Sequence, residues 1–394
     1  MVKPVIARTL PIASAATLVL LFATLMMRGP VTCVGPLAEL VRDTFGASYA
    51  DYGLLAALPI AAFGLFSFPG PALAARLGLR GAVLASIAVV TLGAWGRLSG
   101  NWTGFLAATI GVGAGIALLN VYMPVAVKKT YAAKDVALMM GIYTGVIGLS
   151  GSIGGLTASP LAAWTGSLVG PMAFWGLLGI LAASAWAMGA PALPASAGTA
   201  KGSIRTIVGK PVAWALTAVM GLQSLLIYTV CAWMPPYWMS EGMSRSETGF
   251  WIFVFLVSGL PASILTDRFM RAMKTDARAS AALALIYLAG LGLWLWGGAG
   301  LLPGSVLAGA SQGAMLSVAF ILMAKKSSDA PQMLAMSSMA QGFGYLAAGL
   351  GPIVFGWLCE WTGGWSVSFI FTAAVMVLWG LSGIVASQRD SIDG

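Results

Sequence analysis

Long apolar stretches separated by short hydrophilic breaks run along the whole chain. Each stretch is close to the roughly 20 residues with which a helix crosses a bilayer, so the pattern predicts twelve transmembrane helices. The predicted spans are 12–37, 52–74, 80–98, 103–127, 136–163, 168–190, 211–239, 247–266, 278–298, 303–324, 332–358 and 365–387.

The longest central break covers residues 191–210 and consists mainly of Ala, Pro, Gly and Ser. Such a composition is typical of a flexible linker. The sequence therefore predicts an all-α membrane protein with twelve transmembrane helices in two six-helix bundles, residues 1–190 and 211–394.

The two predicted bundles share a repeat at an offset of 197 residues. Residues 128–166 align with 325–363 without a gap, and eleven of the 39 positions are identical. Chance in so biased a composition would give roughly three or four identities. Because the repeat relates helices 4 and 5 to helices 10 and 11, the two copies are expected to have the same orientation in the membrane.

Charged residues make up 8% of the chain, compared with roughly 25% in soluble proteins. Alternating the loops between two sides places 17 of the 21 Lys and Arg residues on the side of both chain ends. Only Arg42, Arg97 and Arg245 fall on the other side. Positive loops mark the cytoplasm, so we expect both termini to be cytoplasmic in a multi-pass protein of the cytoplasmic (inner) membrane.

The first apolar run, which follows Lys3 and Arg8, also has features of a secretory signal. It continues past Arg28 and is longer than the apolar core of a signal. This length favours a first transmembrane helix.

The chain has no histidine and three scattered cysteines, Cys33, Cys231 and Cys359. No metal-binding cluster, His-based catalysis or cofactor is therefore expected, and the glycines do not form a phosphate-binding loop. The net charge of +9 is explained by topology, so a nucleic-acid partner is not expected either.

Arg28 is the sharpest candidate for a binding residue, because it lies near the middle of the first apolar helix. A charge at that depth costs at least roughly 2.5–3.5 kcal/mol, and no Asp or Glu lies at the middle of any predicted span. One interpretation is a structural arginine that reaches an interface or an internal partner. The other is that Arg28 binds a planar anion such as a carboxylate, for which the guanidinium is well shaped.

Polar and aromatic residues at comparable depth could complete a binding site. They are Asn120, Tyr122, Tyr143, Gln223, Tyr228, Gln312, Gln341 and Tyr345. Taken singly, each is more typical of an interhelical hydrogen-bonding group than of a substrate ligand.

Of the twelve acidic residues, the candidates for proton coupling lie near helix ends, at Glu39, Asp51, Asp267 and Glu360. Proton-coupled carriers commonly use a buried carboxylate. Proton coupling is therefore expected to be absent, to be carried by the bound solute, or to depend on one of these residues at the helix ends.

The segment 70–80, between helices 2 and 3, resembles the signature loop of the major facilitator superfamily. Ala75 occupies the position of its aspartate, whereas the second half keeps Asp267. The residues with a predicted gating or conformational role are Arg76, Arg80, Asp267 and Arg268, together with Gly154 and Gly351 in the glycine-rich helices 5 and 11.

Several further motifs resemble the cyanate and 2-nitroimidazole transporter family within that superfamily. They are 27–28, 34–37, 53–59, 123–124, 232–235 and 341–344. The resemblance covers essentially the whole chain and identifies Arg28 with the arginine of the family. The chain departs from the family pattern by placing Gly29 between Arg28 and Pro30, so a displaced kink is expected in helix 1.

The resemblance implies the major facilitator fold and transport of a small solute by alternating access, with helices 1, 4, 7 and 10 lining the cavity. Expected partners are a small-molecule substrate, the lipid bilayer, and a proton or counter-substrate; a monomer is expected. An exporter of neutral aromatic or nitroheterocyclic compounds remains an alternative, given 15 Trp, 16 Phe and 20 Met. A membrane-embedded enzyme is the alternative of another class, but it lacks an acid–base pair.

Overall fold

The computed structural model describes residues 14–47, 49–191, 193, 204–388 and 391–392. The charged residues Lys3, Arg8, Lys201 and Arg389, on which the topology prediction partly depends, lie outside the described residues. So does most of the predicted linker 191–210, and the division into two bundles on either side of it stays a prediction.

The described chain is built from α-helices joined by short turns and 3-10 segments. In chain order the helices are α1 Ala15–Thr24, α2 Gly29–Thr32, α3 Ala38–Phe45, α4 Tyr49–Ser67, α5 Gly70–Gly96, α6 Trp102–Thr130, α7 Ala133–Thr165, α8 Val169–Gly189, α9 Pro211–Ser240, α10 Arg245–Ala272, α11 Asp276–Trp296, α12 Leu301–Lys326, α13 Ala330–Ala348, α14 Leu350–Thr362 and α15 Ser366–Ser387.

Eleven helical segments of the described residues are long and apolar enough to cross a membrane, and a twelfth, shorter apolar helix covers Ala57–Ser67. Two of the eleven are composite, since α1 and α2 together form the segment Ala15–Leu37, and α13 and α14 together form Ala330–Thr362. The prediction of an all-α protein with twelve transmembrane helices is confirmed, and most predicted ends agree within a few residues.

The helix α5 contains a sharp turn at Gly78, which has φ 67° and ψ 159°. Residues with a Cβ atom rarely adopt this backbone conformation, so glycine is favoured there. Residues 70–77 therefore continue α4 beyond a short break, and residues 79–96 form the third transmembrane helix. This turn coincides with the loop that the sequence predicted between residues 74 and 80.

Both described ends of the chain lie at the same face of the molecule. Near the start of α1, Thr17 Oγ1 is hydrogen-bonded to the hydroxyl of Tyr131, just after the end of α6, at 2.7 Å. At the other end, the backbone N–H of Ile392 donates to the carbonyl of Lys326, the last residue of α12, at 2.9 Å. We call this side of the molecule the terminal face.

The central helices α6, α9 and α12 are the most buried of the described spans. They are the fourth, seventh and tenth transmembrane helices, which the resemblance predicted to surround a central cavity. The more exposed helices, including α8 and α10, carry large apolar side chains on their outer surfaces. In a bilayer these surfaces meet lipid, which is as apolar as they are.

Glycines allow the closest helix contacts in the second half. A Cβ added at Gly309 of α12 would lie 2.0 Å from the backbone oxygen of Phe255 in α10. One added at Gly313 would lie 2.2 Å from the backbone oxygen of Gly259. Small residues at such crossings bring backbones close enough for van der Waals contact between transmembrane helices.

The sequence repeat is also visible in the packing. A Cβ at Gly154 of α7 would lie 2.4 Å from Thr32 Oγ1, and one at Gly351 of α14 would lie 2.5 Å from Thr229 Oγ1. Both the two glycines and the two threonines are 197 residues apart. Each half therefore packs its fifth helix against its first helix through the same pair of residue types.

We expect Gly309→Ala to lower the free energy of unfolding by about 1–3 kcal/mol, because the added methyl group overlaps a helix backbone that cannot move independently. Gly111→Ala is the matched control, since no atom lies within 4 Å of its added Cβ. Thermal unfolding of both purified variants measures the difference. Equal melting temperatures for the two variants would contradict the proposed tightness of the α10–α12 contact.

Candidate functional site

The first transmembrane helix is broken at Arg28. A 3-10 turn, Leu25–Met27, precedes the break, Arg28 has φ −137° and ψ −40°, and the short helix α2 follows with Pro30 in its first turn. The hydroxyl of Ser150 in α7 accepts a hydrogen bond from Gly29 N at 2.8 Å and donates one to the carbonyl of Leu25. A serine hydroxyl thus satisfies both backbone groups that an unbroken α-helix would pair with each other.

The α7 surface also fixes the side chain of Arg28. A Cβ at Gly151 would lie 3.1 Å from Arg28 Cδ, so the aliphatic part of the arginine packs directly on this glycine. One turn away, Thr32 Oγ1 donates to the carbonyl of Gly151 at 2.9 Å. The small residues of α7 therefore determine where the guanidinium lies.

Gly29, which departs from the family pattern, has a packing reason in this chain. A Cβ at this position would lie 1.9 Å from a ring carbon of Trp175 in α8. Only glycine fits between the broken helix and this ring. The break begins at Arg28, two residues before Pro30, in keeping with the displaced kink that the sequence predicted.

A cavity of about 80 Å³ lies beside Arg28, between the two halves. At roughly 10–15 Å³ per water it accommodates about five to eight water molecules or a solute with a similar number of non-hydrogen atoms. Its polar lining residues are Arg28 and Thr144 from the first half and Gln223, Ser224, Ser263 and Gln312 from the second half. Among the described residues, the Arg28 guanidinium has no carboxylate partner.

A second cavity, of about 10 Å³, also borders Arg28. Asn120, Tyr345 and the apolar side chains of Met27 and Phe63 contribute to its lining. Its volume corresponds to about one water molecule. The guanidinium is thus accessible from two directions, with Asn120 on one side and the glutamines on the other.

Four weakly acidic groups lie close enough to act on the charge of Arg28, namely the side chains of Tyr143, Tyr228, Cys231 and Tyr345. None of them is a carboxylate, and phenols and thiols are neutral at pH 7 unless strongly perturbed. The positive charge of Arg28 is therefore not neutralised by these neighbours. The predicted residues Tyr143, Tyr228 and Tyr345 are brought together around it.

The two predicted glutamines of the second half are joined to each other. Gln312 Nε2 donates to Gln223 Oε1 at 3.1 Å and to the Gln223 carbonyl at 3.0 Å. Gln223 Nε2 in turn donates to Ser224 Oγ at 2.6 Å. Gln312 Oε1 is buried with no hydrogen-bond partner in the described part of the chain, which leaves one acceptor for a bound solute.

Four predicted residues do not line either cavity. Tyr143 and Tyr228 are nevertheless among the neighbours of Arg28, whereas the other two, Tyr122 and Gln341, have different surroundings. Tyr122 is buried and its hydroxyl donates to the carbonyl of Gly70 at 2.9 Å, where α5 begins. Gln341 is also buried, and neither its Oε1 nor its Nε2 has a partner among the described residues. A substrate-binding role for these two residues stays a prediction.

Hydrogen bonds between the halves close the cavity toward the terminal face. Lys128, near the end of α6, donates to the carbonyl of Ala324 at 2.5 Å and to that of Ser327, at the end of α12. Deeper in the molecule, Ser337 Oγ of α13 donates to the carbonyl of Asn120 at 3.3 Å. Lys128 therefore caps unpaired carbonyls of a helix C-terminus in the opposite half, where a positive charge is favourable.

Glycines of α7 and α13 form the apolar part of the same closure. A Cβ at Gly141 would lie 2.5 Å from the Ser263 carbonyl of α10, and one at Gly342 would lie 2.6 Å from the ring of Phe68. Gly154 and Gly351, for which a conformational role was predicted, instead contact the first helix of their own half. The conformational role of these two glycines stays a prediction.

The contacts of the predicted signature-loop residues lie within single halves. Asp267 is ion-paired with Arg271 in the same helix, while the adjacent Arg268 is exposed. Arg80 donates to the carbonyl of Ala187 at 2.6 Å, and Arg76 is exposed. Sequence reasoning did not identify Lys128 as a residue that joins the halves, although the repeat aligned it with Lys325.

Arg97, counted among the exterior loop residues, lies in the turn that follows α5, but its side chain does not face solvent. Its side chain is buried, with Nη1 donating to the Pro30 carbonyl at 2.5 Å and Nε donating to Thr109 Oγ1 at 3.0 Å. The position at the end of α5 looked like a loop, but the long side chain turns inward. Arg97 thereby supports α2 on the far side of the break from Ser150.

A sequence profile described as Major Facilitator Superfamily matches residues 20–305. An uncharacterized transporter of Bacillus subtilis (strain 168), YycB, is 30% identical, covering 92% of this chain and 91% of that protein. Two proteins of Escherichia coli (strain K12) are also similar. The 2-nitroimidazole transporter is 28% identical, covering 95% of each chain, and the cyanate transport protein CynX is 25% identical, covering 91% and 94%.

The fold is similar to solved transporter structures. The outward conformation of FucP, a Major Facilitator Superfamily transporter, gives a TM-score of 0.77 at 15% identity, covering 95% of this chain and all of that one. The human organic anion transporter MFSD10 gives 0.72 at 16% identity, with coverage of 95% and 100%. At these identities the structures bear on the fold alone. These relatives and neighbours are transporters, which confirms the predicted fold and the expectation that the chain is not an enzyme.

Lys128→Met is expected to open the terminal face, because it removes a charged donor worth about 1.5–3 kcal/mol from the contact between the halves. Ala75 and Lys274 are exposed at this face in opposite halves. Spin labels attached to Ala75→Cys and Lys274→Cys, in a protein whose native cysteines are replaced, report the distance between the halves by pulsed electron paramagnetic resonance. Lys134→Met, an exposed lysine of the same face, is the control. A distance distribution identical in Lys128→Met and the control would contradict this role.

Proposed function

The chain belongs to the major facilitator superfamily, and we propose that it is a secondary active transporter that moves a small planar anion across the cytoplasmic membrane by alternating access. The observation that carries this proposal is the guanidinium of Arg28, which borders a cavity between the halves and has no carboxylate partner among the described residues.

The charge of Arg28 supports an anionic substrate. Keeping an arginine at this depth costs at least roughly 2.5–3.5 kcal/mol, and its nearest titratable neighbours are phenols and a thiol. An anion that enters the cavity would neutralise the charge and could accept two parallel hydrogen bonds from the guanidinium. A substrate thus supplies the partner that the protein lacks.

The volume and the amide groups limit the substrate further. A cavity of about 80 Å³ favours a solute of fewer than about ten non-hydrogen atoms. Gln223, Gln312 and Ser224 border it from the second half, opposite Arg28. The arginine would bind the anionic end of the solute, and the amide oxygens would accept hydrogen bonds from donor groups at its other end.

The substrates in the names of two relatives are small and planar or linear. Cyanate is a linear triatomic anion, and 2-nitroimidazole is a planar ring whose nitro group presents two coplanar oxygens. The second candidate function, export of a neutral aromatic or nitroheterocyclic compound, is favoured by the three tyrosines around Arg28. Comparing the binding of charged and neutral isosteres of one planar compound separates the two candidates.

In the proposed cycle, the bundles 1–190 and 211–394 rock about the cavity, and the terminal face is the cytoplasmic side. The present arrangement closes that side through Lys128, so the transition to the inward-facing state breaks its bonds to α12. Coupling would rely on the charge or protonation of the substrate, or on an acidic residue at a helix edge such as Glu39 or Asp51, since the titratable neighbours of Arg28 among the described residues are phenols and a thiol.

The proposed topology predicts that residue 201 faces the cytoplasm and residue 101 faces the outside. In a cysteine-free background, Asn101→Cys should react with an impermeant thiol reagent in intact cells, while Lys201→Cys should react only after the membrane is permeabilised. The reason is the excess of Lys and Arg on the side of both termini. Labelling at 201 but not at 101 in intact cells would reverse the assignment.

Arg28→Lys is expected to weaken anion binding by about 1–3 kcal/mol, roughly five- to 150-fold, because lysine keeps the charge but loses the planar fork. Affinity for small carboxylates and cyanate is measured by titration calorimetry, together with the melting temperature of the same protein. Arg278→Lys, an exposed arginine outside both cavities, is the matched control.

Arg28→Gln distinguishes a binding role from a structural one. A binding role predicts that affinity for anions falls more than affinity for neutral isosteres, with little change in melting temperature. Unchanged anion affinity in Arg28→Gln, accompanied by a lower melting temperature, would remove the anion-site proposal.

A further inference from the structure

A third cavity lies far from Arg28 along the chain, at the opposite side from the terminal face. It is a cleft of about 580 Å³ between the end of α9, the end of α11 and the start of α15. It shares no lining residue with the two cavities at Arg28. Its lining includes one carboxylate, three aromatic rings and two leucines, which belong to Glu241, Tyr237, Trp365, Phe369, Leu291 and Leu295.

This cleft opens at the outer surface of the second half. The helix α11 packs mainly against α12 and α15, and α15 packs mainly against α9 and α11, so both helices lie at the periphery. At the cleft, Leu295 is 41% exposed and Ile370 is 66% exposed. In a bilayer such apolar side chains contact hydrocarbon, so the cleft is accessible to lipid rather than only to water.

Aromatic rings and one carboxylate form the polar end of the cleft. The rings of Tyr237 and Phe369 are 4.8 Å apart, and those of Tyr237 and Trp365 are 5.7 Å apart, both in edge-to-face geometry. Glu241 follows α9 directly and is exposed at the cleft. Among the side chains that the structure describes, no hydrogen bond or ion pair reaches its carboxylate.

We propose that this cleft binds an ethanolamine phospholipid of the membrane, with its ammonium group at Glu241 and an acyl chain between α11 and α15. A primary ammonium can donate hydrogen bonds to the carboxylate and interact with the aromatic faces. Leu288, Leu291 and Leu295 provide the apolar wall for the hydrocarbon. The volume lies within the range of about 300–1,000 Å³ that is typical of sites for drug-sized molecules, so the cleft would hold a part of the lipid.

Charge complementarity selects this lipid over the others. An anionic phosphatidylglycerol headgroup has no cation to offer Glu241 and is repelled by it. The inference rests on the proposed function only in assigning this face to the outer leaflet, since the binding of the lipid itself does not depend on the transported substrate.

Native mass spectrometry of the full-length protein, titrated in detergent with dioleoyl phosphatidylethanolamine or dioleoyl phosphatidylglycerol, tests the proposal. The wild type should bind one ethanolamine lipid at least fivefold more tightly than one glycerol lipid. Glu241→Gln should abolish this preference. Glu360→Gln, which removes an exposed carboxylate outside the cleft, should keep it.

A blocking variant separates the cleft from general lipid adhesion. Gly292 lines the cleft and has no atom within 4 Å of an added Cβ, so Gly292→Leu places a side chain in open space and should displace the lipid without unfolding the protein. Gly111→Leu is the matched control. Equal binding of both lipids to the wild type, or an unchanged preference in Glu241→Gln or Gly292→Leu, would overturn the proposal. Failure of the Arg28 variants to alter anion binding would leave these measurements unaffected.

Discussion

A break in the first transmembrane helix, with an arginine at the break, is the constraint on which the site depends. Breaking a helix inside a membrane exposes backbone groups that lipid cannot satisfy, so protein groups must pair with them. Ser150 supplies a hydroxyl to Leu25 and Gly29, and Arg97 supplies a guanidinium to Pro30. The cost of the break is thereby offset on both sides of Arg28, and the Arg28 guanidinium makes no hydrogen bond to the described residues.

The packing of α7 follows from the same constraint. A helix that offers a hydroxyl to a broken neighbour must approach it closely, and larger residues beside Ser150 would prevent this. Gly151 lies under the stem of Arg28, and Gly154 lies against Thr32. The glycine-rich sequence of this helix therefore has two uses: residues near its middle hold the first helix, and residues nearer its start, such as Gly141, meet α10 of the other half.

Sequence alone predicts the helices well, because each transmembrane segment must be long and apolar whatever its neighbours are. It also identifies Arg28, since a single charge in an apolar run is conspicuous. It does not distinguish Tyr122, which binds a backbone carbonyl, from Tyr143, which lies near the arginine. That difference depends on which way each helix faces. Sequence alone does not identify Ser150 either, because serines are common in this chain and the role of this one depends on where α7 crosses the break.

The repeat explains why the two halves contribute different chemistry to one cavity. At an offset of 197 residues, Leu225 corresponds to Arg28 and Ala347 to Ser150. The second half lacks the charge and the hydroxyl at these positions, and its first helix has no break, since α9 is a continuous helix from Pro211 to Ser240.

Gln223 and Gln312 face the cavity from this unbroken side. In the proposed transporter, the first half would therefore hold the anion and the second half would supply amides. A solute that contacts both groups stabilises the arrangement in which the halves are closest. Since such a contact is lost when either side opens widely, binding and the rocking of the halves would be linked through the same few residues.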